Sequence, residues 1–417
     1  MTRPTVLVIE SQAKAALPVI ESLHRAGIRV IVANTTWHNS GFYSRGVRER
    51  YLYPSPRHRP DEFKAWLLRF LSRRRMEMLF PIGHYGALAV SEIQEEIRRH
   101  TRLVMPDAAT FRLGYEKITT MKAALAAGVP IPESWFPADL AGGIEEVIQQ
   151  IRRWPVLVKP TVGVGARGIT WCHNADDVRR LYPLIAEAHG ESYIQDFVPP
   201  GGMQYKVDML VDDRQQRLAA IVYGKTRMYP PEGGSSVLNF SADRPDILDL
   251  AHKMLVQLKW VGFCDFDFVD DPRDGVVKIM EINPRLPESF GIAAKSGIDF
   301  PLMIYKMARG ERIEPVTDYP KNKFLRFLPG DLLWFLRVSN KERFGTWPGW
   351  FRFFDRDTAY QLVRARDPGP IMGYLLENIS ALFNKKLLRE RLRLTSSPSV
   401  TAQPTPGPPV SSLKPQL

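Results

Sequence analysis

Short apolar runs alternate with helical periodicity over the first hundred residues of the chain. A first apolar run is followed by a helical stretch that ends at Gly27, and a second apolar run comes directly after it. This order is typical of βαβ units, whose strands lie parallel in one sheet. We predict a Rossmann-like domain over residues 1–107, with strands at 5–9, 28–33, 78–82 and 103–105 and helices up to Arg25, at 61–75 and at 86–100. Because no glycine-rich turn follows the first strand, we expect no nucleotide site in this domain.

The pattern changes after residue 107. A helix that carries Lys117 ends at Gly128, and a strand, a helix and another strand follow. From residue 191 onward the chain is rich in predicted strands, at 193–198, 205–211, 218–223, 262–269 and 276–282, with one helix at 246–258. We predict two further subdomains, 108–190 and 191–315, of α/β and α+β character. A basic, aromatic and mostly helical extension follows over 316–394, and the Ser/Pro/Thr-rich residues 395–417 should be disordered.

Composition limits the classes of protein that fit this pattern. A chain of 417 residues, with 44% hydrophobic and 24% charged residues, can bury the cores of two or three globular domains. Cys172 and Cys264 are far apart, which favours neither a disulfide framework nor a zinc knuckle and agrees with a reducing, cytoplasmic location. The sequence predicts no membrane-spanning helix and no secretory signal.

The net charge of +12 is concentrated in the C-terminal third of the chain. Residues 321–393 contain 15 Lys and Arg against 7 Asp and Glu, with Trp334, Trp347, Trp350 and a phenylalanine-rich stretch among them. Two interpretations stay open: a helical cap whose aromatic side chains pack on the core, or a region that contacts an anionic membrane. We expect no nucleic-acid partner, and the sequence does not indicate an oligomeric state.

The most informative segment is a predicted hairpin that turns at residues 274–275. Its strands carry oxygen-bearing side chains two residues apart, Asp265 and Asp267 on the first and Glu281 and Asn283 on the second. The period of two places each pair on one face, so the four side chains can converge. Mg²⁺ takes oxygen ligands, usually one or two carboxylates together with substrate phosphates. We predict a Mg²⁺ or Mn²⁺ site formed by Asp267, Glu281 and Asn283, the alternative being a solvated hairpin edge.

A second segment delivers a lysine into a glycine-rich loop. Lys159 ends an apolar strand, and Gly163, Gly165 and Gly168 follow it before the next strand. Glycine permits a close approach of backbone N–H groups to phosphate oxygens, and the lysine offsets their charge. A P-loop is disfavoured because the lysine precedes the glycines and a strand follows the loop. We interpret this loop as a phosphate-binding flap, the alternative being a simple glycine-rich turn.

Taken in order, these segments resemble the ATP-grasp superfamily, in particular the branch of carbamoyl-phosphate synthetase and the D-alanine and D-aspartate ligases. The resemblance covers about residues 1–310 and implies a Rossmann-like domain followed by a two-subdomain ATP-grasp fold. It implies that Lys117 and Lys159 reach the ATP phosphates, that the hinge residues Gln195, Asp196, Phe197 and Val198 hold adenine, and that Asp267, Glu281 and Asn283 bind the metal. It also implies that Arg285 contacts the transferred phosphate, and that Lys225 and Arg227 are charge clamps near the acceptor carboxylate.

The activity implied by the resemblance is an ATP-dependent ligation of a carboxylate to an amine through an acyl phosphate, with release of ADP and phosphate. The hinge departs from the family pattern because it begins with Gln195 where glutamate is common, so adenine contacts should come mainly from the backbone. A biotin-dependent carboxylase is disfavoured because the chain has no carrier lysine in a Met-Lys-Met turn. A non-catalytic ATP-binding regulatory module is the other alternative.

Overall fold

The computed structural model describes residues 3–162, 168–364 and 366–383. Gly163 and Gly165 of the predicted flap, the end of the extension and the tail predicted to be disordered all lie outside these residues. The described chain forms three sheets with helices packed against them.

The N-terminal domain is a four-stranded parallel sheet with helices on both faces. Its elements are β1 (Thr5–Ile9), α1 (Ala16–Arg25), β2 (Arg29–Asn34), a short 3₁₀ helix (Gly41–Tyr43), β3 (Val47–Leu52), α2 (Pro60–Arg73), β4 (Met78–Pro81), α3 (His84–Glu92) and α4 (Gln94–Arg98). The strand order is β3-β2-β1-β4, and every pair of neighbours is parallel. The Rossmann-like prediction is therefore confirmed.

Three details of this domain differ from the prediction. The edge strand β3 is not among the predicted strands, because half of its six residues are charged and only one side of it is covered. The segment predicted as a strand at 103–105 forms none, and only an isolated bridge joins Met78 to Arg102. The helix predicted at 86–100 is interrupted at Ile93, which separates α3 from α4.

The second unit is a small sheet flanked by helices. Its elements are α5 (Ala108–Tyr115), α6 (Lys117–Ala126), β5 (Ser134–Trp135), α7 (Ile144–Gln150), β6 (Val156–Pro160), β7 (Thr170–Cys172), α8 (Ala175–His189) and β8 (Ser192–Asp196). The strand order is β5-β8-β6-β7, with antiparallel neighbours. Because β8 pairs along its length with β6, this unit extends to residue 196, beyond the boundary predicted at 190.

A large antiparallel sheet forms the third unit. Its elements are β9 (Gln204–Val211), β10 (Arg217–Tyr229), β11 (Ser235–Ser241), α9 (Pro245–Gln257), β12 (Gly262–Asp270), β13 (Val277–Asn283), α10 (Gly291–Lys295) and α11 (Phe300–Ala308). β12 and β13 form the predicted hairpin, and Gly275 in its turn has φ of +69°. The left-handed backbone at this position favours glycine.

The C-terminal extension contributes strands to the same sheet. Its elements are β14 (Phe324–Arg326), α12 (Leu328–Arg337), α13 (Asn340–Gly345), β15 (Thr358–Tyr360) and α14 (Gly369–Phe383). β14 pairs with β11 and β15 pairs with β14, so the sheet has the order β13-β12-β9-β10-β11-β14-β15. The extension is mostly helical, as predicted, but its two strands make it part of the central sheet. Among the described helices, none is long and apolar enough to cross a membrane.

A continuous core joins the N-terminal domain to the large sheet. Ile20 of α1 belongs to the same buried cluster as Ile221 of β10, Phe290 and Leu325 of β14. A second core lies beneath the hairpin, where α6 and α9 pack on β9 and β12. Lys117 at the start of α6 is thereby held against the large sheet.

Candidate active site

The register of the hairpin brings together the three side chains predicted as metal ligands. Asp267 is opposite Glu281, and Asp265 is opposite Asn283. The Nδ2 atom of Asn283 lies 3.2 Å from Oδ2 of Asp267 and 3.3 Å from Oε1 of Glu281. The structure thus places two carboxylates and one amide within hydrogen-bonding distance of each other at the end of the hairpin.

Two lysines hold the Asp267 carboxylate. Nζ of Lys225 lies 2.6 Å from Oδ1, and Nζ of Lys206 lies 2.7 Å from Oδ2. Burial alone would raise the pKa of Asp267, but Lys206 and Lys225 together lower it well below its ordinary value. Lys225 is therefore in the cluster, as predicted. The position of Lys206 was not predicted, because its contact with Asp267 depends on the pairing of β9 with β12.

A layer of buried acids lies behind these lysines. Asp265, whose side chain is fully buried, lies 2.8 Å from Nζ of Lys206 and faces Asp208 across β12 and β9. Tyr223 donates to Asp208 at 3.2 Å and lies 2.9 Å from the Ser289 hydroxyl. Burial raises the pKa of Asp208 well above its usual range, and burial raises that of Asp265 to about 6. Asp265 is enclosed, whereas Asp267 faces the cleft.

Two further lysines lie close enough to the hairpin to feel the charge of Glu281. Lys159, the last residue but one of β6, donates to Oε1 of Gln195 at 2.5 Å, and the backbone N–H of Lys117 donates to the Thr161 carbonyl at 2.8 Å. Burial lowers the pKa of both lysines, that of Lys159 to about 8, and the charge of Glu281 opposes the shift in each case. Three residues predicted from separate segments, Lys117, Lys159 and Glu281, therefore share one electrostatic environment.

The predicted hinge lies where β8 leaves the small sheet. The Gln195 side chain is buried and also donates to the Ser134 hydroxyl at 2.9 Å, so it is committed to the protein interior. Asp196 pairs with Arg273 at 2.8 Å. Phe197 and Val198 follow the strand, half-buried, and the Phe197 ring centroid lies 4.4 Å from that of Trp171. The side chains of Phe197 and Val198 thus remain available to an adenine ring, and those of Gln195 and Asp196 are engaged elsewhere.

One glycine of the predicted flap is within the described residues. Gly168 has φ of +78°, and a Cβ at this position would lie 2.9 Å from Cγ of Pro160. A side chain would therefore be strained here and would also crowd the start of the loop. The backbone at Gly168, just before β7, therefore favours glycine.

Arg285 lies where the hairpin meets the N-terminal domain. It donates to Oδ1 of Asn283 at 3.2 Å, and its charge lowers the pKa of Glu10 in opposition to burial, which raises that pKa to about 7. Glu10 has φ of +59°, accepts the Gly83 N–H at 2.8 Å, and approaches so closely that a Cβ on Gly86 would lie 2.2 Å from Oε2. Sequence analysis did not find Glu10 as a site neighbour, because its contacts arise from residues some 70 positions away.

The structure does not bring Arg227 into this cluster, and the role predicted for it as a charge clamp is wrong. Its side chain is fully enclosed and lies 3.1 Å from Asp331 on α12. The guanidinium also donates to the Pro348 carbonyl and stacks 4.7 Å from the Trp334 ring centroid. An arginine with these buried partners stabilises the extension and has no free face toward the cleft.

The donor set fits a hard divalent cation. Among the described residues, no group of three His, Cys, Asp or Glu side chains is arranged to hold a metal. A cation here would take the carboxylates of Asp267 and Glu281 and ligands from outside the protein, as Mg²⁺ does with phosphates. Asn283 would ligate it through oxygen only after its amide turns over, because Nδ2 now faces the carboxylates and Oδ1 accepts from Arg285. The two lysine ammonium groups and the amide of Asn283 already surround Asp267 with positive charge and hydrogen-bond donors.

Comparisons with known proteins agree with this fold. A family model described as ATP-grasp in the biosynthetic pathway with Ter operon matches residues 200–327. The chain is 21% identical to a D-aspartate ligase from Enterococcus faecium over 55% of this chain and 58% of the relative. It is 25% identical to the C-terminal section of a carbamoyl phosphate synthase large chain from Methanopyrus kandleri, over 46% of this chain and 36% of the relative. The chain thus spans 58% of the length of the first relative and 36% of the length of the second.

Solved structures of biotin carboxylases have the same architecture. The Campylobacter jejuni biotin carboxylase, solved as a β-γ-ATP complex, superposes with a TM-score of 0.65 at 16% identity, over 76% of this chain and 74% of that one. The biotin carboxylase domain of the Hydrogenobacter thermophilus 2-oxoglutarate carboxylase, solved with MgADP and bicarbonate, has a TM-score of 0.64 at 16% identity over 78% and 74%. At this identity the likeness establishes the fold alone.

The chain therefore has an ATP-grasp fold. Its residues 200–327 match an ATP-grasp family model, and the chain is similar to ligases and synthases of the ATP-grasp type.

Proposed function

We propose that this protein is an ATP-dependent carboxylate–amine ligase that uses an acyl-phosphate intermediate. The observation that carries the proposal is the convergence of Asp267, Glu281 and Asn283 opposite Lys117 and Lys159. Phosphoryl transfer requires positioning and charge neutralisation more than a protein nucleophile, and this arrangement supplies both. The names of the relatives, D-aspartate ligase and carbamoyl phosphate synthase, support the same class of reaction.

Each group has a role in the proposed reaction. Lys117 and Lys159 bind the ATP phosphates and offset their charge, and Phe197 and Val198 contact the adenine ring. Asp267, Glu281 and Asn283 would hold Mg²⁺ or Mn²⁺, which would supply neutralisation of phosphate charge.

The reaction has two balanced steps. A carboxylate oxygen of the acceptor attacks the γ-phosphorus and ADP leaves. The nitrogen of the amine then attacks the acyl carbon, the C–O bond to phosphate breaks, and inorganic phosphate leaves while the amine loses a proton. Lys225 and Arg285 are cations at the end of the hairpin, where they stabilise the negative charge on the acyl phosphate. Arg227 takes no part.

We place the reaction in the cytoplasm. Cys172 and Cys264 are both buried and unpaired, as is usual for proteins of reducing compartments. The carboxylate and the amine are small molecules.

The test is substrate-stimulated turnover. The purified protein is incubated with ATP, Mg²⁺ and pools of carboxylates and amino acids, and the release of ADP and phosphate is measured. Hydroxylamine is added to each active pool, because it converts an acyl phosphate into a stable hydroxamate. We expect at least one pool to raise ADP release and to yield a hydroxamate, whereas Glu281→Gln abolishes both.

The same assay separates the remaining alternative. A non-catalytic regulatory module would bind ATP with Mg²⁺ but would release no ADP in any pool. In an active pool, ADP release without hydroxamate would contradict the acyl-phosphate step while leaving the ATP-dependent activity in place.

A further inference from the structure

The extension presents an apolar surface that the fold leaves uncovered. We name the side chains of Leu332, Leu333, Leu336, Phe344 and Phe351 the aromatic face. Each is between 45% and 67% exposed. The ring of Phe335 links the two phenylalanines, with centroid distances of 6.3 Å to Phe344 and 5.7 Å to Phe351. The three leucines lie on the same helix as Phe335. Large contiguous apolar patches are uncommon on proteins that have no partner.

The fold does not need this surface. α12 already packs its other side, where Trp334 and Val338 are buried in a small cluster with Val237 of β11. Trp350 is partly buried against this cluster, and its ring N–H donates to the backbone carbonyl of Asp331 at 3.1 Å. The interpretation of the aromatic residues as a packed cap therefore accounts for Trp334 and Trp350, and it does not account for the aromatic face.

Cations accompany the aromatic face along the chain. Between residues 332 and 354 the chain has four cations, Arg337, Lys341, Arg343 and Arg352, and one acid, Glu342. Arg337 pairs with Glu232 and Arg352 pairs with Asp355. Among the described residues, no carboxylate forms an ion pair with Lys341 or Arg343, and the Arg343 guanidinium lies 4.8 Å from the Phe335 ring centroid. Apolar side chains rimmed by cations are the combination that binds at an anionic lipid surface.

Helix α14 also exposes apolar side chains, and the sequence after it is basic. Met372, Leu375 and Ile379 of α14 are 49% to 54% exposed and lie three or four residues apart, on one side of the helix. The sequence at 384–393 then adds five Lys and Arg against one Glu. No described helix could span a membrane, so a contact would be peripheral.

We propose that the aromatic face docks the protein on an anionic lipid surface. The leucine and phenylalanine side chains enter the interfacial layer, and Lys341 and Arg343 lie at the level of the lipid phosphates. A second copy of this chain is a less suitable occupant, because two identical faces would bring their like charges together. The inference does not depend on the proposed ligase activity.

The test is flotation of the full chain with vesicles of neutral phosphatidylcholine, with or without about one third phosphatidylglycerol. The full chain is required, because a version that ends near residue 318 would lose two strands of the central sheet. The variants are Phe344→Ser with Phe351→Ser, and separately Lys341→Glu. The matched control is Leu125→Ser with Leu184→Ser, which removes two side chains that are each 55% exposed elsewhere.

We expect the protein to float with the anionic vesicles, and the phenylalanine variant to lose at least about tenfold in binding. Lys341→Glu should weaken binding by about tenfold, and only at low salt, while the control should bind as the unchanged protein does. Equal binding to neutral vesicles, or an equal loss in the control, would overturn the proposal. So would the absence of flotation, and in that case sedimentation shows whether the face forms a contact between copies.

Discussion

Lys225 and Arg227 are two residues apart on the same strand, and each contacts an aspartate. Lys225 and Asp267 are partly exposed at the cleft, with 16% and 13% of their side chains accessible, and Asp267 is shared with Lys206. Arg227 and Asp331 are both fully buried. Similar charge pairs on one strand thus have different surroundings and different uses.

Asp267 and Asp331 differ in whether a bound ligand can replace one of their ion-pair partners. Asp267 has several competing cationic neighbours and one open side, so a bound cation can take over part of its coordination. Asp331 is held by two guanidinium groups, Arg227 at 3.1 Å and Arg326 at 2.5 Å, with no access for a ligand. A sealed pair stabilises one packing arrangement, whereas a shared, accessible pair can take part in binding.

The largest expected effect is on the buried ion pair of Arg227 and Asp331. Asp331→Asn would leave two guanidinium groups buried without their carboxylate, so we expect the free energy of unfolding to fall by about 3–5 kcal/mol. Denaturant unfolding monitored by tryptophan fluorescence measures the loss. The matched control is Asp318→Asn, an exposed aspartate that pairs with Lys321, and this change should leave the free energy of unfolding nearly unchanged. A similar cost for both variants would remove the distinction between the two regions.

The next effect is on turnover. Glu281→Gln removes a carboxylate from the open cluster, so we expect substrate-stimulated ADP release to fall about 100-fold while the unfolding free energy changes little. Glu187→Gln, on the exposed side of α8, serves as the control. Wild-type turnover in Glu281→Gln would show that the hairpin does not hold the metal.

Glu10 is a third case, a buried carboxylate without an ion-pair partner among the described residues. Its pKa is raised from 4.5 to about 7, so the folded state binds a proton more tightly than the unfolded state does. This contribution favours folding at low pH and is lost as pH rises from about 4.5 to about 7, by about 3 kcal/mol.

Comparison with Glu10→Gln isolates the effect. His84 has its pKa lowered by burial to about 4, which gives a stability slope of opposite sign between about pH 4 and 6.5. His84 is present in both proteins, so its contribution cancels in the difference. We expect the difference in unfolding free energy between the two proteins to change with pH, and a constant difference would assign the slope to other groups.

The smallest effect is at Lys225. Lys225→Met leaves Lys206 in contact with Asp267, so we expect turnover to fall only about tenfold, with little change in unfolding free energy. Lys253→Met, exposed on α9, is the control. If Lys225→Met lowered the free energy of unfolding as much as Asp331→Asn does, Lys225 would have a structural role like that of the buried Arg227.

Local pattern predicted most of the fold and the hairpin. The period of two predicts that Asp267, Glu281 and Asn283 converge, and the hairpin brings them together even though a bulge between Asp267 and Phe268 interrupts its pairing. Lys117 and Lys159 were placed by resemblance, and the structure brings both near Glu281.

The errors have a common physical cause. The pairing of β10 with β11 is irregular on both sides of Arg227, so the period of two does not carry over from Lys225 to Arg227. The helix that encloses Arg227 comes 104 residues later in the chain. Contacts over such separations, like those of Glu10 with Gly83 and of Lys206 with Asp267, cannot be found from the period of one segment.

The strands β14 and β15 at the edge of the large sheet affect how the protein can be made. Domains tend to fold as they leave the ribosome, N-terminal parts first. Here the large sheet lacks β14 until residue 326 has been synthesised, and it lacks β15 until residue 360. Arg227 lacks its carboxylate until Asp331 has been synthesised. A polypeptide arrested before residue 331 would carry an unpaired cation in the interior, and one arrested before residue 358 would expose the edge of β14. We expect such polypeptides to be retained by chaperones or degraded.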